Sequence, residues 1–216
     1  VPRDNHPKFR QARQLARKSE NRPPYERILI VCEGKKTEPH YLEDIRRQNS
    51  IPSAHVKVLP SALGTESRQV VDFAHRTFLE TRSYERVYAV FDRDSHLTYC
   101  DALDRAAALD GKLQNDERKP VRFVAVPSVP CFELWLLLHF EDVQAFSHRT
   151  ETFSRLKRHI PGYEKGSRGI FGLTEPQLDV ASARAQRLRV RFDAREASDP
   201  YTAMDELVAL LRNLRD

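Results

Sequence analysis

The feature that most constrains the fold is a set of short apolar runs that stop at acidic residues, each followed by a helical stretch. In the first run, Arg27-Ile-Leu-Ile-Val-Cys32, Ile28 to Val31 are mostly β-branched and show no polar alternation. A strand covered on both faces in a parallel sheet has this character. It ends in Glu33-Gly34-Lys35-Lys36-Thr37-Glu38. Gly34 suits a tight turn, and Thr37 is expected to cap a helix that tolerates Pro39 in its first turn and aligns Tyr41, Leu42 and Ile45 on one face. Ligands of open α/β sheets bind outside the carboxyl ends of the strands. A strand tip carrying Glu33, Lys35 and Lys36 is therefore a candidate site.

The pattern then repeats. A strand is expected over His55 to Leu59 and a helix over Ser67 to Glu80, with Val70, Val71, Ala74 and Phe78 on its inner face. Arg86 to Phe91 is the third apolar run, followed by Asp92-Arg93-Asp94 and a helix reaching about Leu113. Val121 to Val126 is a fourth strand. Such alternation calls for a parallel, helix-covered sheet with right-handed crossovers. From Pro127 onward the chain reads as helical, with Trp135 inside the apolar segment Cys131 to Phe140 and no further strand expected. Thr174-Glu-Pro-Gln177 resembles a capping box, and Thr202 is suited to cap a last helix. The glycine-bearing stretch from Pro161 to Gly172 is the candidate flexible functional loop. The expected fold is thus α/β: a parallel Rossmann-like sheet with helices on both faces and a C-terminal helical extension. The expected division is a basic flexible arm over 1–26, an α/β domain over 27–128, and a helical extension over 129–216 that completes the site.

Composition narrows the function classes. The chain has 36 Lys and Arg against 31 Asp and Glu, a net charge of +5 that permits a polyanionic partner. The excess includes Arg3, Lys8, Arg10, Arg13, Arg17, Lys18 and Arg22 in the arm. Three cysteines without CxxC spacing support neither a disulfide framework nor a zinc cluster. The longest apolar run, Leu134 to Leu138, is far short of a membrane span, and a soluble cytoplasmic protein is expected.

The chemistry gathers at the strand ends. Glu33 follows the first strand, and Asp92 and Asp94 follow the third. Carboxylates crowded at one sheet edge repel one another unless a cation intervenes, and hard oxygen ligands without a His/Cys pattern favour Mg²⁺ or Mn²⁺. Glu33 in Val-Cys-Glu-Gly-Lys-Lys-Thr-Glu, followed downstream by Phe-Asp92-Arg-Asp94, resembles the Toprim domain. More narrowly, with Pro-Cys131-Phe-Glu133-Leu-Trp135-Leu-Leu-Leu-His139-Phe, the chain is similar to the RloB-like family found beside bacterial restriction and abortive-infection systems.

That resemblance implies a metal-dependent nuclease acting on RNA or DNA in anti-phage defence, with a defence-system protein as an expected partner. Glu33 is implied as a general acid/base or metal-associated carboxylate, and Asp92 and Asp94 as ligands of the divalent ion. Two departures stand out: Asp199-Pro200-Tyr201-Thr202 where related sequences read Asn-Pro-Ser-Thr, and Val-Pro130 in place of Asn-Pro. Among the remaining polar residues, Glu133 is a candidate catalytic residue, helped by the resemblance, and if buried needs a partner, for which a metal or Lys165 is available. Lys35, Lys36, Arg93 and Lys165 are candidates to hold phosphates, each equally explicable as a surface charge. His139 is a candidate site residue, although a lone histidine on an apolar segment is more often core. Two other classes fit the sequence: a nucleic-acid or nucleotide-binding regulatory subunit, and a DxD phosphotransferase. The latter would leave Glu33 without a role.

Overall fold

The structure is a computed structural model that describes residues 26–93, 97–196 and 200–214. The basic arm up to residue 25, Asp94 and Asp199 lie outside the described residues. In chain order the elements are β1 (Ile28–Cys32), α1 (Thr37–Gln48), β2 (Val56–Pro60), α2 (Ser67–Thr81), β3 (Arg86–Asp92), α3 (Tyr99–Leu109) and β4 (Arg122–Val129). There follow α4 (Glu133–Leu137), α5 (Arg149–His159), α6 (Ile170–Thr174), a 3₁₀ turn (Glu175–Gln177), α7 (Leu178–Arg191), β5 (Tyr201–Thr202) and α8 (Met204–Arg212).

Side chains alternate across a strand, and in β1 both sets are apolar, so both faces of the sheet must be covered. Ile28, Ile30 and Cys32 enter one core with α1, α4 and the later helices; Leu29 and Val31 enter the other with α2 and α3. All five β1 residues are fully buried. The strand order is β2-β1-β3-β4-β5, parallel except for the β4–β5 pair. The chain leaves β1 toward β2 on one side and later passes back to β3 on the other. Right-handed crossovers in opposite directions place α1 on one face and α2 and α3 on the other. The gap between the carboxyl ends of β1 and β3 is the topological switch point, where open α/β sheets bind their ligands.

The fold matches the expected mostly parallel, helix-covered sheet and corrects several local readings. Tyr201–Thr202 adds an antiparallel edge strand against Ser128 and Val129, too short to register as an apolar run. Its Thr202 is fully buried and hydrogen-bonds Ser128 through the two hydroxyls at 3.0 Å. The helix after β3 stops at Leu109, because Gly111 takes a positive φ of 68° and its N–H donates to the Val121 carbonyl at 2.9 Å. Thr174 caps nothing: its hydroxyl donates back to the Ile170 and Phe171 carbonyls. A capping box does occur, at Glu66 and Gln69 ahead of α2. Among the described residues no helix is long and apolar enough to cross a membrane.

Candidate active site at the carboxyl edge of the sheet

A cavity of about 400 Å³ opens at the switch point, lined by Glu33, Gly34, Lys35, Lys36, Thr37, Glu38, Thr65, Asp92, Phe132, Glu133, Arg149 and Lys165. Four elements deliver its carboxylates: the end of β1 brings Glu33, the first turn of α1 Glu38, the end of β3 Asp92, and the start of α4 Glu133. All four are nearly buried, at 8, 6, 6 and 2% exposure in that order.

Backbone N–H groups fix these side chains. The Glu33 N–H donates to the Val90 carbonyl at 2.9 Å, continuing the β1–β3 ladder past Cys32. The Asp92 N–H donates to Glu33 Oε2 at 2.9 Å, and the Phe132 N–H donates to Asp92 Oδ1 at 2.8 Å. Glu133 Oε1 accepts the Tyr163 hydroxyl at 3.3 Å. Glu38 turns back over the loop and accepts N–H groups from Gly34 and from its own backbone. A Cβ on residue 34 would lie 2.1 Å from Glu38 Oε2, so this close approach requires the glycine.

The electrostatics are unfavourable as they stand. Burial, followed by the charges of Glu38, Glu33 and Glu133, raises the Asp92 carboxyl well above the ordinary range, and Arg149 opposes the rise. Burial and Glu133 likewise raise Glu38, against its N–H donors and Lys165. Removing carboxylates from water and crowding them together both disfavour their charged forms. A divalent cation would reverse both effects.

The donor set fits Mg²⁺ or Mn²⁺, being carboxylate oxygen only. Its spacing is wide. Among the described residues, the one group of three with ligand atoms all within 4.8 Å is Glu85, Asp116 and Glu117, at the opposite edge of the sheet. That group is satisfied by Arg27, which bridges Glu85 and Asp116 at 2.7 Å each. Mg²⁺ commonly takes only one or two carboxylates, completing its shell with waters and substrate phosphates, so the wider pocket suits it.

The sequence-derived residues divide accordingly. Glu33, Asp92, Glu133, Lys35, Lys36 and Lys165 converge on the cavity. Arg93 does not line it: the guanidinium lies 4.8 Å from the Tyr99 ring centre and donates to the Ala194 carbonyl at 3.4 Å, tying β3 to the loop after α7. His139 is also elsewhere, 2% exposed, with its ring 4.8 Å from that of Trp135 and Nδ1 bonded to the Trp135 and Leu136 carbonyls. Burial lowers its pKa to about 4, so it is a neutral core imidazole.

The glycine-bearing stretch is pinned rather than loose. The Gly166 N–H donates to Thr37 Oγ1 at 3.0 Å, the Gly166 carbonyl meets His40 Nδ1 at 2.9 Å, and the Gly169 N–H donates to Asp44 at 2.9 Å. Thr37 therefore seats the Lys165 segment instead of capping α1, for which Lys36 is the N-cap without a side-chain bond. Sequence reasoning missed Glu38 and Arg149 as site residues. For Glu38 the available signal was a first-turn carboxylate four residues beyond the glycine; for Arg149 no local signal existed.

A family model described as RloB-like protein matches residues 28–211, a span that includes every residue lining the cavity. No curated protein and no solved structure matches the chain. With most of its length covered by that one model, the chain belongs to the RloB-like family.

Proposed function

We propose that the protein is a metal-dependent nuclease of the Toprim type, hydrolysing phosphodiester bonds in RNA or DNA in the cytoplasm as part of bacterial anti-phage defence. The observation that carries this reading is the convergence of Glu33, Glu38, Asp92 and Glu133 in one recess that also holds Lys35, Lys36, Lys165 and Arg149. Buried acids beside cations suit a substrate that is itself anionic and reacts through a cation.

Glu33 and Asp92 would hold the Mg²⁺ or Mn²⁺ ion, joined by Asp94 as the sequence implies. When bound, the ion supplies charge neutralisation at a phosphate oxygen and lowers the pKa of an attacking water. The chain's own groups do the rest. The Asp92 and Phe132 N–H bonds fix the rotation of the Glu33 and Asp92 carboxylates, so little reorganisation is needed when charge develops. Glu38 and Glu133 add negative charge that holds the cation, and Lys35, Lys36 and Lys165 offset it where the substrate phosphates enter. A proton-transfer role for Glu33 would contribute about 10²–10⁴-fold in rate. Among the described residues no tyrosine lines the cavity, which supports hydrolysis by water over strand transfer through a tyrosyl ester.

The test is cleavage of plasmid, single-stranded DNA, bulk tRNA and other RNA by wild type and Asp92→Ala, with Mg²⁺, Mn²⁺ or chelator. Scission of one class that needs both metal and Asp92 is expected. Nucleic-acid binding that is equally strong in chelator, with no scission of any class, would overturn the enzyme reading in favour of a binding subunit.

A further inference from the structure

Glu133 is held from outside its own helix. It opens α4 and lines the recess at only 2% exposure, and its Oε1 accepts the hydroxyl of Tyr163, which is 1% exposed and does not line the recess. The fully buried Cys131 thiol bonds the same carboxylate, but a thiol is a weak donor, so the phenol is the stronger constraint. Tyr163 is seated by contacts of its own. Its ring belongs to the core shared by α1, α4 and the later helices and meets the Phe153 ring of α5 at 5.5 Å between centres. Its N–H donates to the Ile160 carbonyl at 3.0 Å. Gly162, just before it, takes a φ of 81°, and a Cβ there would meet nothing within 4 Å, so this glycine serves the turn that brings Tyr163 inward and not a close contact. Three residues beyond Tyr163 the chain is fastened again, by the Gly166 bonds to Thr37 and His40 of α1. A phenol fixed at both ends of its loop can set the direction of a carboxylate. A buried hydroxyl needs only some acceptor, which a backbone carbonyl would supply; here the acceptor is a carboxylate whose charge acts on Asp92 and Glu38.

We infer that Tyr163 is a positioning residue for the cation site: its hydroxyl fixes the rotation of the Glu133 carboxylate, directing that charge into the recess shared with Glu33, Glu38 and Asp92. The inference rests on the nuclease reading for the presence of a divalent cation, but its test does not depend on cleavage. Tyr163 touches neither ion nor substrate and acts only through Glu133. Hydrogen-bond partners that orient the groups around a metal are worth about 10–100-fold in metal affinity. The 3.3 Å separation is longer than the ~2.7–2.8 Å usual for O–H···O bonds, which places the expected effect at the lower end of that range.

The test is Mn²⁺ titration by electron paramagnetic resonance of wild type, Tyr163→Phe, Glu133→Ala and the double variant, with thermal melting as a check on folding. Tyr163→Phe keeps the ring and its packing and removes only the hydroxyl. It should weaken Mn²⁺ binding by about 10-fold. In the Glu133→Ala background the same substitution should change the affinity by less than about twofold, because the hydroxyl then has no carboxylate to orient. In cleavage, Tyr163→Phe should need about 10-fold more Mn²⁺ yet reach the wild-type rate at saturating metal, a split that a merely loosened fold would not give. Equal Mn²⁺ affinity of wild type and Tyr163→Phe would overturn the assignment, as would an equal loss with and without Glu133, or wild-type protein that binds no Mn²⁺. Mn²⁺ binding with this dependence on Tyr163 but no scission of any nucleic acid would leave the assignment standing and remove the nuclease reading. Metal-dependent scission indifferent to Tyr163 would do the reverse.

Discussion

Lowering the pH should destabilise the protein through His139, and the size of the effect follows from its surroundings. The imidazole is 2% exposed, its Nδ1 is committed to the Trp135 and Leu136 carbonyls, and its Nε2 is buried without a hydrogen-bond partner. Protonation would add a second buried N–H and a charge with nothing to receive either, and burial accordingly lowers the pKa from 6.5 to about 4. Between these values the unfolded chain binds a proton that the folded chain refuses. Stability from this residue is therefore full above pH 6.5 and is lost as the pH falls toward 4. At about 1.36 kcal/mol per pH unit, the loss reaches about 3 kcal/mol at its limit. Asp92 and Glu38 act in the opposite sense: their raised carboxyls bind protons in the folded state first, so they lose stability as the pH rises. The informative quantity is hence the difference between wild type and His139→Leu, which cancels the carboxylates. Urea unfolding from about pH 7.5 to about pH 4 should show the wild type losing roughly 3 kcal/mol more than the variant. Parallel curves for the two proteins would refute a buried, neutral His139.

Further outcomes follow from individual contacts. Gly34→Ala puts a Cβ against the Glu38 carboxylate and should displace it, raising the Mg²⁺ or Mn²⁺ concentration needed for cleavage with little change in melting temperature. An unchanged metal requirement would mean Glu38 is dispensable. Gly166→Ala meets both a φ of +86° and Lys36 Cβ at 2.8 Å, so it should cost about 1–3 kcal/mol in chemical denaturation. Thr37→Val deprives the Gly166 N–H of its acceptor at a cost of about 1–3 kcal/mol, and faster hydrogen exchange at that amide is the specific sign. Protection equal to wild type would show that the loop is held by other contacts.

The sequence made the sheet legible because β1 and β3 are apolar on both faces, a property of the strands themselves. Glu33 and Asp92 were legible for the same reason: they are where the apolar runs end. Other features depended on tertiary placement. Arg149 reads as one more charge in a polar, basic stretch until α5 docks beside α4 and turns its first residue into the cavity. Glu38 reads as a favourable first-turn acid, and only the close approach of Gly34 shows it folded back over the loop. Thr37 and Thr174 have the composition of caps, yet their hydroxyls found other partners, Gly166 in one case and the preceding helical turn in the other. Two residues of β5 carry no periodicity, and their pairing with β4 is decided by how the extension returns to the sheet.

If the carboxylates at the switch point form a cation site, Mn²⁺ titration followed by electron paramagnetic resonance will register it. Wild type, Asp92→Asn, Glu33→Gln and Glu85→Gln would each be titrated with and without a single-stranded oligonucleotide. Binding by wild type should strengthen with the oligonucleotide, be lost in Asp92→Asn and weakened in Glu33→Gln, and be unaffected by Glu85→Gln. Binding that survives in Asp92→Asn but disappears in Glu85→Gln would locate the cation at the opposite edge of the sheet and rule out a cation site at the switch point.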